Sequence, residues 1–368
     1  MKTVGIVDAE LAVNGEGRFP NLAAMKLSSY HKERGDLVTL VPNFKYLADF
    51  DSVYVCCVFT EVARMIPANI RRMRNVRCGG TGFSFDKATP LPRAVEHSPP
   101  DYDLYRDWVH VQLTKRSGRA ALRYYTDYSL GFLTRGCFRR CQFCVNRNSR
   151  KAVRASSLRE FHNPKRNRIC LLDDNFLAYH DRETLLADLI DTCERTGASF
   201  EFKQGLDIRL LTRKVATQLQ EAPTHGEIIF AFDSIKDAVT VRRGLEVFRK
   251  HLPNKGTKCY ILCGFEDNGW RDIATVFRRL QILWNAGVIG YVMRHENCRS
   301  ATTECFGIYT QLARWCNQPK FQRSASFREF CDLRKGTKKD LAMFERIYPT
   351  VAKEYFNLKF NEENCCPG

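Results

Sequence analysis

The chain has 368 residues, 44% of them hydrophobic and 27% charged, the balance of a globular chain of two or three domains that can bury a sizeable core. That composition excludes a wholly disordered, collagen-like or coiled-coil chain. The longest apolar run, residues 53–59, is far short of the roughly 20 residues that cross a bilayer. Lys and Arg total 58 against 41 acids, a formal charge of +17, which favours an anionic partner such as nucleic acid, a nucleotide or an acidic peptide.

Residues 1–8 read as a short apolar strand without the pattern of a cleaved leader, so a cytoplasmic protein with no membrane partner is expected. A polar loop follows at 14–18, and Pro20 is expected to open a helix that runs to about Arg34 and stops at Gly35-Asp36. Strands are expected at 37–41, at 52–59 and at 76–78. A basic helix to about Arg74 separates the last two, and the loop Gly79-Gly80-Thr81-Gly82 follows. That loop suits a tight turn, or a phosphate held by backbone amides. The alternation implies a Rossmann-like, doubly wound parallel sheet over residues 1–100. Pro90, Pro92, Pro99 and Pro100 punctuate a connector, with a linker at 101–128.

From Ser129 a second rhythm begins. Strand starts fall near Leu130, Ile169, Phe200, Ile228, Tyr260 and Ile289, about thirty residues apart, the length of one βα unit. Helical patterns fill gaps, for example 181–195 and 270–285. A partial (β/α)6 TIM-type barrel over 129–300 is expected, with function gathered at the carboxyl ends of its strands. Residues 301–368 read as a helical region packed through Trp315, Phe321, Phe327, Phe330, Phe344, Tyr348 and Tyr355.

Sixteen cysteines are scattered through the chain. Most, such as Cys56, Cys57, Cys170, Cys259 and Cys263 within apolar strands, read as buried reduced thiols. Cys298, Cys305, Cys316 and Cys331 lack a C-x2-C pair and read the same way, the alternative being an auxiliary cluster. Cys365 and Cys366 read as exposed thiols. A different pattern follows the first barrel strand: Cys137, Cys141 and Cys144 stand in C-x3-C-x2-C spacing, with Phe143 just before the last. Three soft thiolates on one loop suit an iron–sulfur cluster. A closed zinc site would need a fourth ligand, such as Cys170 or His162.

Both the spacing and its place after the first barrel strand resemble the radical S-adenosylmethionine (SAM) superfamily. The resemblance implies that Cys137, Cys141 and Cys144 hold a 4Fe–4S cluster and that SAM chelates the fourth iron. One-electron cleavage of SAM would then give a 5′-deoxyadenosyl radical that abstracts hydrogen from a substrate. A reductase or a flavodoxin- or ferredoxin-type protein would supply the electron. Phe143 would lie near the adenine. The ends of the later strands supply the implied SAM contacts: Asp173, Asp174 and Asn175 for the amino group, Gln204 and Arg209 for ribose or carboxylate, then Asp233, Ser234, Gly264 and Val292. Simpler roles compete at several of these: helix capping for Asp173, Asp174 and Asp233, and an Asp207–Arg209 pair.

Four segments, Phe19-Pro20-Asn21-Leu22-Ala23, Gly79-Gly80-Thr81-Gly82-Phe83, Pro99-Pro100-Asp101-Tyr102 and residues 131–137, make the order of the whole chain similar to superfamily members with a cobalamin-binding-like front domain. The loop from Asp8 to Gly15 has no histidine, so cobalamin itself is not expected. Cys56, Cys57 and Cys78 are poorly spaced for a second cluster, which weighs against a methylthiotransferase among the RNA-modifying options, methyltransferases included. From Arg139 to Arg168 ten Lys/Arg stand against one acid, Glu160, which points to an anionic substrate or simply to a solvated basic face. The rival class is a non-catalytic nucleic-acid-binding protein with a structural zinc or iron–sulfur centre.

Overall fold

Val4 and Ile6 project to one side of the first strand and Val7 to the other, and all three are buried. In this computed structural model, which describes residues 1–360 apart from 16, 18, 116–118 and 334–336, that strand is β1 (Thr3–Asp8). It pairs in parallel with β2 (Leu37–Leu40) and β3 (Ser52–Cys56), and β3 pairs with β4 (Val76–Gly79), so the order is β2-β1-β3-β4. A strand apolar on both faces belongs at the centre of a parallel sheet, and two separate apolar clusters cover the two sides of β1.

The local differences from expectation have local causes. Asn21, not Pro20, opens the first long helix: its side chain accepts from the Ala24 N–H at 3.2 Å, and the helix runs Leu22–Lys32. β3 ends at Cys56 rather than Phe59 because the N–H groups of Val58 and Phe59 turn to the Glu10 carboxylate, at 2.7 and 3.0 Å. Pro67 splits the expected basic helix into Thr60–Met65 and Ala68–Arg72. The stretch read as a linker carries the helix Arg106–Thr114 and places Tyr105, Leu122, Tyr124 and Tyr125 in the core.

Further along come β5 (Tyr128–Gly131), a two-stranded antiparallel ribbon of β6 (Thr134–Arg135) and β7 (Val153–Arg154), β8 (Arg168–Leu171) and β9 (Ser199–Phe202). β5, β8 and β9 form one sheet in that order. A third sheet is wholly parallel, β10 (Ile228–Ala231), β11 (Thr257–Cys263) and β12 (Ile289–Arg294). The fold is therefore α/β with parallel sheets, and every expected strand start falls within a few residues of an observed strand.

By contacts the chain divides into two compact units, Met1–Tyr179 with Leu189–Phe200, and His180–Asp188 with Glu201–Gly368. The boundaries expected at 100, 128 and 300 divide the chain by element type and do not coincide with this division. In the second unit the helix Trp270–Trp284 buries Ile273, Val276, Phe277, Leu280 and Leu283, and Phe277 stacks on Tyr355 with ring centroids 5.8 Å apart. Trp315, Phe327, Phe330, Phe344 and Tyr355 are all buried, as the helical reading of this region expects. Cys365 and Cys366 lie outside the described residues.

Candidate functional site: the cysteine loop

The ribbon β6–β7 closes a loop, residues 136–152, that carries all three clustered cysteines. Its root is fixed by three consecutive residues just past β8. The buried Asp173 carboxylate accepts from the Leu133 N–H at 3.1 Å, the Thr134 N–H at 2.6 Å and the Thr134 hydroxyl at 2.7 Å. Asp174 accepts from the Gly136 N–H at 2.6 Å, and the Arg135 Nε lies 3.5 Å from it. Asn175 donates its amide to the Cys137 Sγ at 3.3 Å. Burial pushes the Asp173 carboxyl up to about 6 in spite of its hydrogen bonds to Thr134 and Leu133.

The rest of the loop is held from within and from the front domain. Gly136 sits at φ +92°, where a Cβ would come within 2.5 Å of the Lys151 carbonyl, so glycine is required. The Cys137 N–H donates to the Ser149 hydroxyl, and the Cys144 N–H to the Cys141 carbonyl, closing a turn. Asp86 accepts from the Arg147 Nε and the Asn148 amide, both at 2.7 Å, and the guanidinium holds its carboxyl below the usual range. Glu160 accepts from the His97 ring at 2.8 Å and caps its own turn through Ser157.

The sulfurs are themselves acceptors. The Arg139 N–H points at the Cys137 Sγ and the Asn146 N–H at the Cys144 Sγ, each at 3.4 Å. All three clustered thiols are half-exposed, whereas ten of the other described cysteines are buried and Cys78 is exposed. Among the described residues no three of His, Cys, Asp and Glu converge on a point where one metal ion could sit. An all-thiolate set on one accessible loop, with N–H donors aimed at sulfur, fits iron–sulfur chemistry, because such hydrogen bonds tune these clusters. Phe143 lies on the same loop, half-buried.

The other expected contact residues lie in the second unit, and most are engaged there. Arg209 forks onto Asp207 (2.6 and 3.1 Å) and reaches Asp237 at 2.5 Å. Asp233 accepts from the Leu262 N–H at 3.0 Å while its carbonyl accepts from the buried Arg279, and desolvation raises its carboxyl. Ser234 caps the short turn Ile235–Asp237. Gly264, at φ +72°, packs against Cys298, which a Cβ would overlap at 2.3 Å. The Val292 N–H and carbonyl both bond to the Asn317 side chain, at 2.8 and 3.0 Å. Gln204 is exposed.

A feature not anticipated from the sequence is that, among the described residues, one side of the sheet β10-β11-β12 is only partly covered. The opposite side is buried through Phe230, Cys259, Ile261, Cys263 and Val292. The other presents, in register, Ala231–Tyr260–Tyr291 and Leu262–Met293, with Tyr291 37% and Met293 45% exposed. Parallel sheets are ordinarily covered on both sides. The alternation Lys258-Cys259-Tyr260 was the available signal. In the front unit, the crevice at the carboxyl ends of β1 and β3, where open α/β sheets bind ligands, has its loop N–H groups taken by Glu10. Gly80 and Gly82 serve there as close-packing glycines against Cys57. In comparison with known proteins, no family model matches the chain and no curated protein matches it.

Proposed function

We propose that the chain is a radical SAM enzyme in which Cys137, Cys141 and Cys144 hold a 4Fe–4S cluster. The observation that carries the reading is the clamped three-thiol loop, with Asp173 and Asp174 on its backbone and Asn175 on its first sulfur. A partial barrel is the finer fold assignment proposed with it, supported by the parallel pairings of β5 with β8 and of β10, β11 and β12, and by the parallel bridge between Leu206 and Phe230. The bound cluster and SAM would supply one-electron cleavage of a carbon–sulfur bond, giving a carbon radical that takes hydrogen from the substrate.

This chain's own residues prepare the site. Asp173 and Asp174 fix where the loop leaves the ribbon, so the first thiol is positioned before any metal arrives. The Arg139 and Asn146 N–H groups and the Asn175 amide draw charge from two of the sulfurs. Three protein ligands would leave one iron of such a cluster open to SAM, as a catalytic centre requires. The alternative, a non-catalytic protein with a structural zinc or iron–sulfur centre, would use the same three thiols and is separated from this reading by the metal taken up and by SAM cleavage.

Anaerobic reconstitution followed by SAM and dithionite tests the reading: 5′-deoxyadenosine and methionine should be released. Cys141→Ala should abolish release and keep its far-ultraviolet circular dichroism. Undiminished release by that variant, or none from an iron-loaded wild-type protein, overturns the proposal.

A further inference from the structure

We infer that the outer surface of the cysteine loop and its flanks binds single-stranded nucleic acid. This names the substrate class of the proposed reactive loop and in that sense rests on the reading above, although the binding itself needs no cluster.

The charge arithmetic along residues 139–168 is one-sided, ten Lys/Arg against Glu160. Asp86, Glu160 and Asp174 all touch the loop or its flank, and each is committed to holding it in place. Arg140, Arg150, Lys151, Arg159 and Lys165 are exposed, and among the described residues none of these side chains has a carboxylate partner. The structural charges are therefore balanced and the outward ones are not. A site for one phosphate gathers recessed, converging donors. Five exposed cations along the chain from 140 to 165 instead match a string of phosphates, whose binding is driven by counterion release.

One detail favours unpaired bases over a duplex. Phe138, between the first two cluster cysteines, is 41% exposed, and the Arg139 guanidinium lies over its ring at 4.9 Å. A half-open aromatic face beside arginine is a stacking platform for a splayed base. Its neighbour Arg140 holds φ +54°, a left-handed conformation that bulky residues rarely adopt. Such an outlier at an exposed cation fits a residue placed for contact rather than for packing.

Fluorescence anisotropy tests this with a fluorescein-labelled 20-nucleotide RNA, the same sequence as DNA, and the corresponding duplex. Titrations run from 50 to 200 mM salt, on the protein as isolated and after iron reconstitution. Both single strands should bind, with a log–log salt slope of about −3.5 for five phosphate contacts. The triple variant Arg140→Glu, Lys151→Glu, Arg159→Glu should shed about 2 from the magnitude of that slope. Phe138→Ala should weaken binding about tenfold. A control reversal of three exposed cations in the second unit, Arg243, Lys250 and Lys353, should leave the slope unchanged. The proposal falls if the control acts as strongly as the loop triple, if duplex binds more tightly than single strands, or if polyphosphate of equal charge competes as well as RNA. Iron loading without RNA binding sinks this inference alone, whereas RNA binding without iron loading sinks the enzymatic reading.

Discussion

Replacing Asp173 with alanine removes the anchor of the cysteine loop and leaves three donors behind: the Leu133 and Thr134 N–H groups and the Thr134 hydroxyl. Buried donors left without a partner cost about 1–3 kcal/mol each. The carboxyl stands at about 6 rather than 3.8 even with these bonds made, so desolvation already outweighs them in its ionisation and the low end of that range applies. At about 1 kcal/mol per stranded donor the expected loss is about 3 kcal/mol, concentrated at the turn between β5 and β6. Hydrogen exchange at pH 7.5, read on peptides spanning residues 130–152, should therefore speed up about a hundredfold. Exchange in β1 and β3 should stay near the wild-type rate. Unchanged protection at 133 and 134 would refute the anchoring role. Equal loss throughout β1–β4 would show that Asp173 supports the whole unit rather than the loop.

Asp8, buried at the end of β1, takes a hydrogen bond from Tyr105 at 2.7 Å, and desolvation still pushes its carboxyl up to about 6. Its contribution to stability is thus fully present below pH ~3.8 and lost as pH rises through about 6. Asp8→Asn should be more stable than wild type by up to about 3 kcal/mol at pH 8, with the gap closing toward pH 4 in urea titrations; a gap independent of pH contradicts this. Gln322 bonds the Gly290 N–H and carbonyl on the outer edge of β12, the Cys316 carbonyl and the Trp284 indole. Gln322→Ala should cost about 2–4 kcal/mol and raise light scattering as the sheet edge opens; a soluble variant of wild-type stability would remove this role. Asn175→Leu should lower the reduction potential of the reconstituted cluster by withdrawing the amide from the Cys137 sulfur, and an unchanged potential would mean that this amide does not tune the centre.

What could be read from the sequence was local. The apolar run of β1, the cysteine spacing and the aromatic C-terminal helices are short-range patterns, and each is present where the chain predicts it. What escaped depended on partners far along the chain. Asp173, Asp174 and Asn175 look like capping groups or ligand contacts until Leu133, Thr134, Gly136 and Cys137, some forty residues earlier, are seen to use them. Val292 shows no sign in sequence that a side-chain amide, Asn317, occupies its backbone edge. Prolines in the 84–128 stretch signalled a connector, whereas Tyr105, Tyr124 and Tyr125 fill the core beside Tyr128, a tertiary gain that no local pattern reveals.

The deciding measurement is electron paramagnetic resonance of the reconstituted, dithionite-reduced protein, recorded with and without SAM beside an iron and sulfide assay. Three thiolates gripping a cluster with one open corner predict about four irons per chain and a reduced-cluster signal that shifts when SAM binds. A colourless protein that takes up zinc in place of iron, or a cluster signal indifferent to SAM, would contradict it.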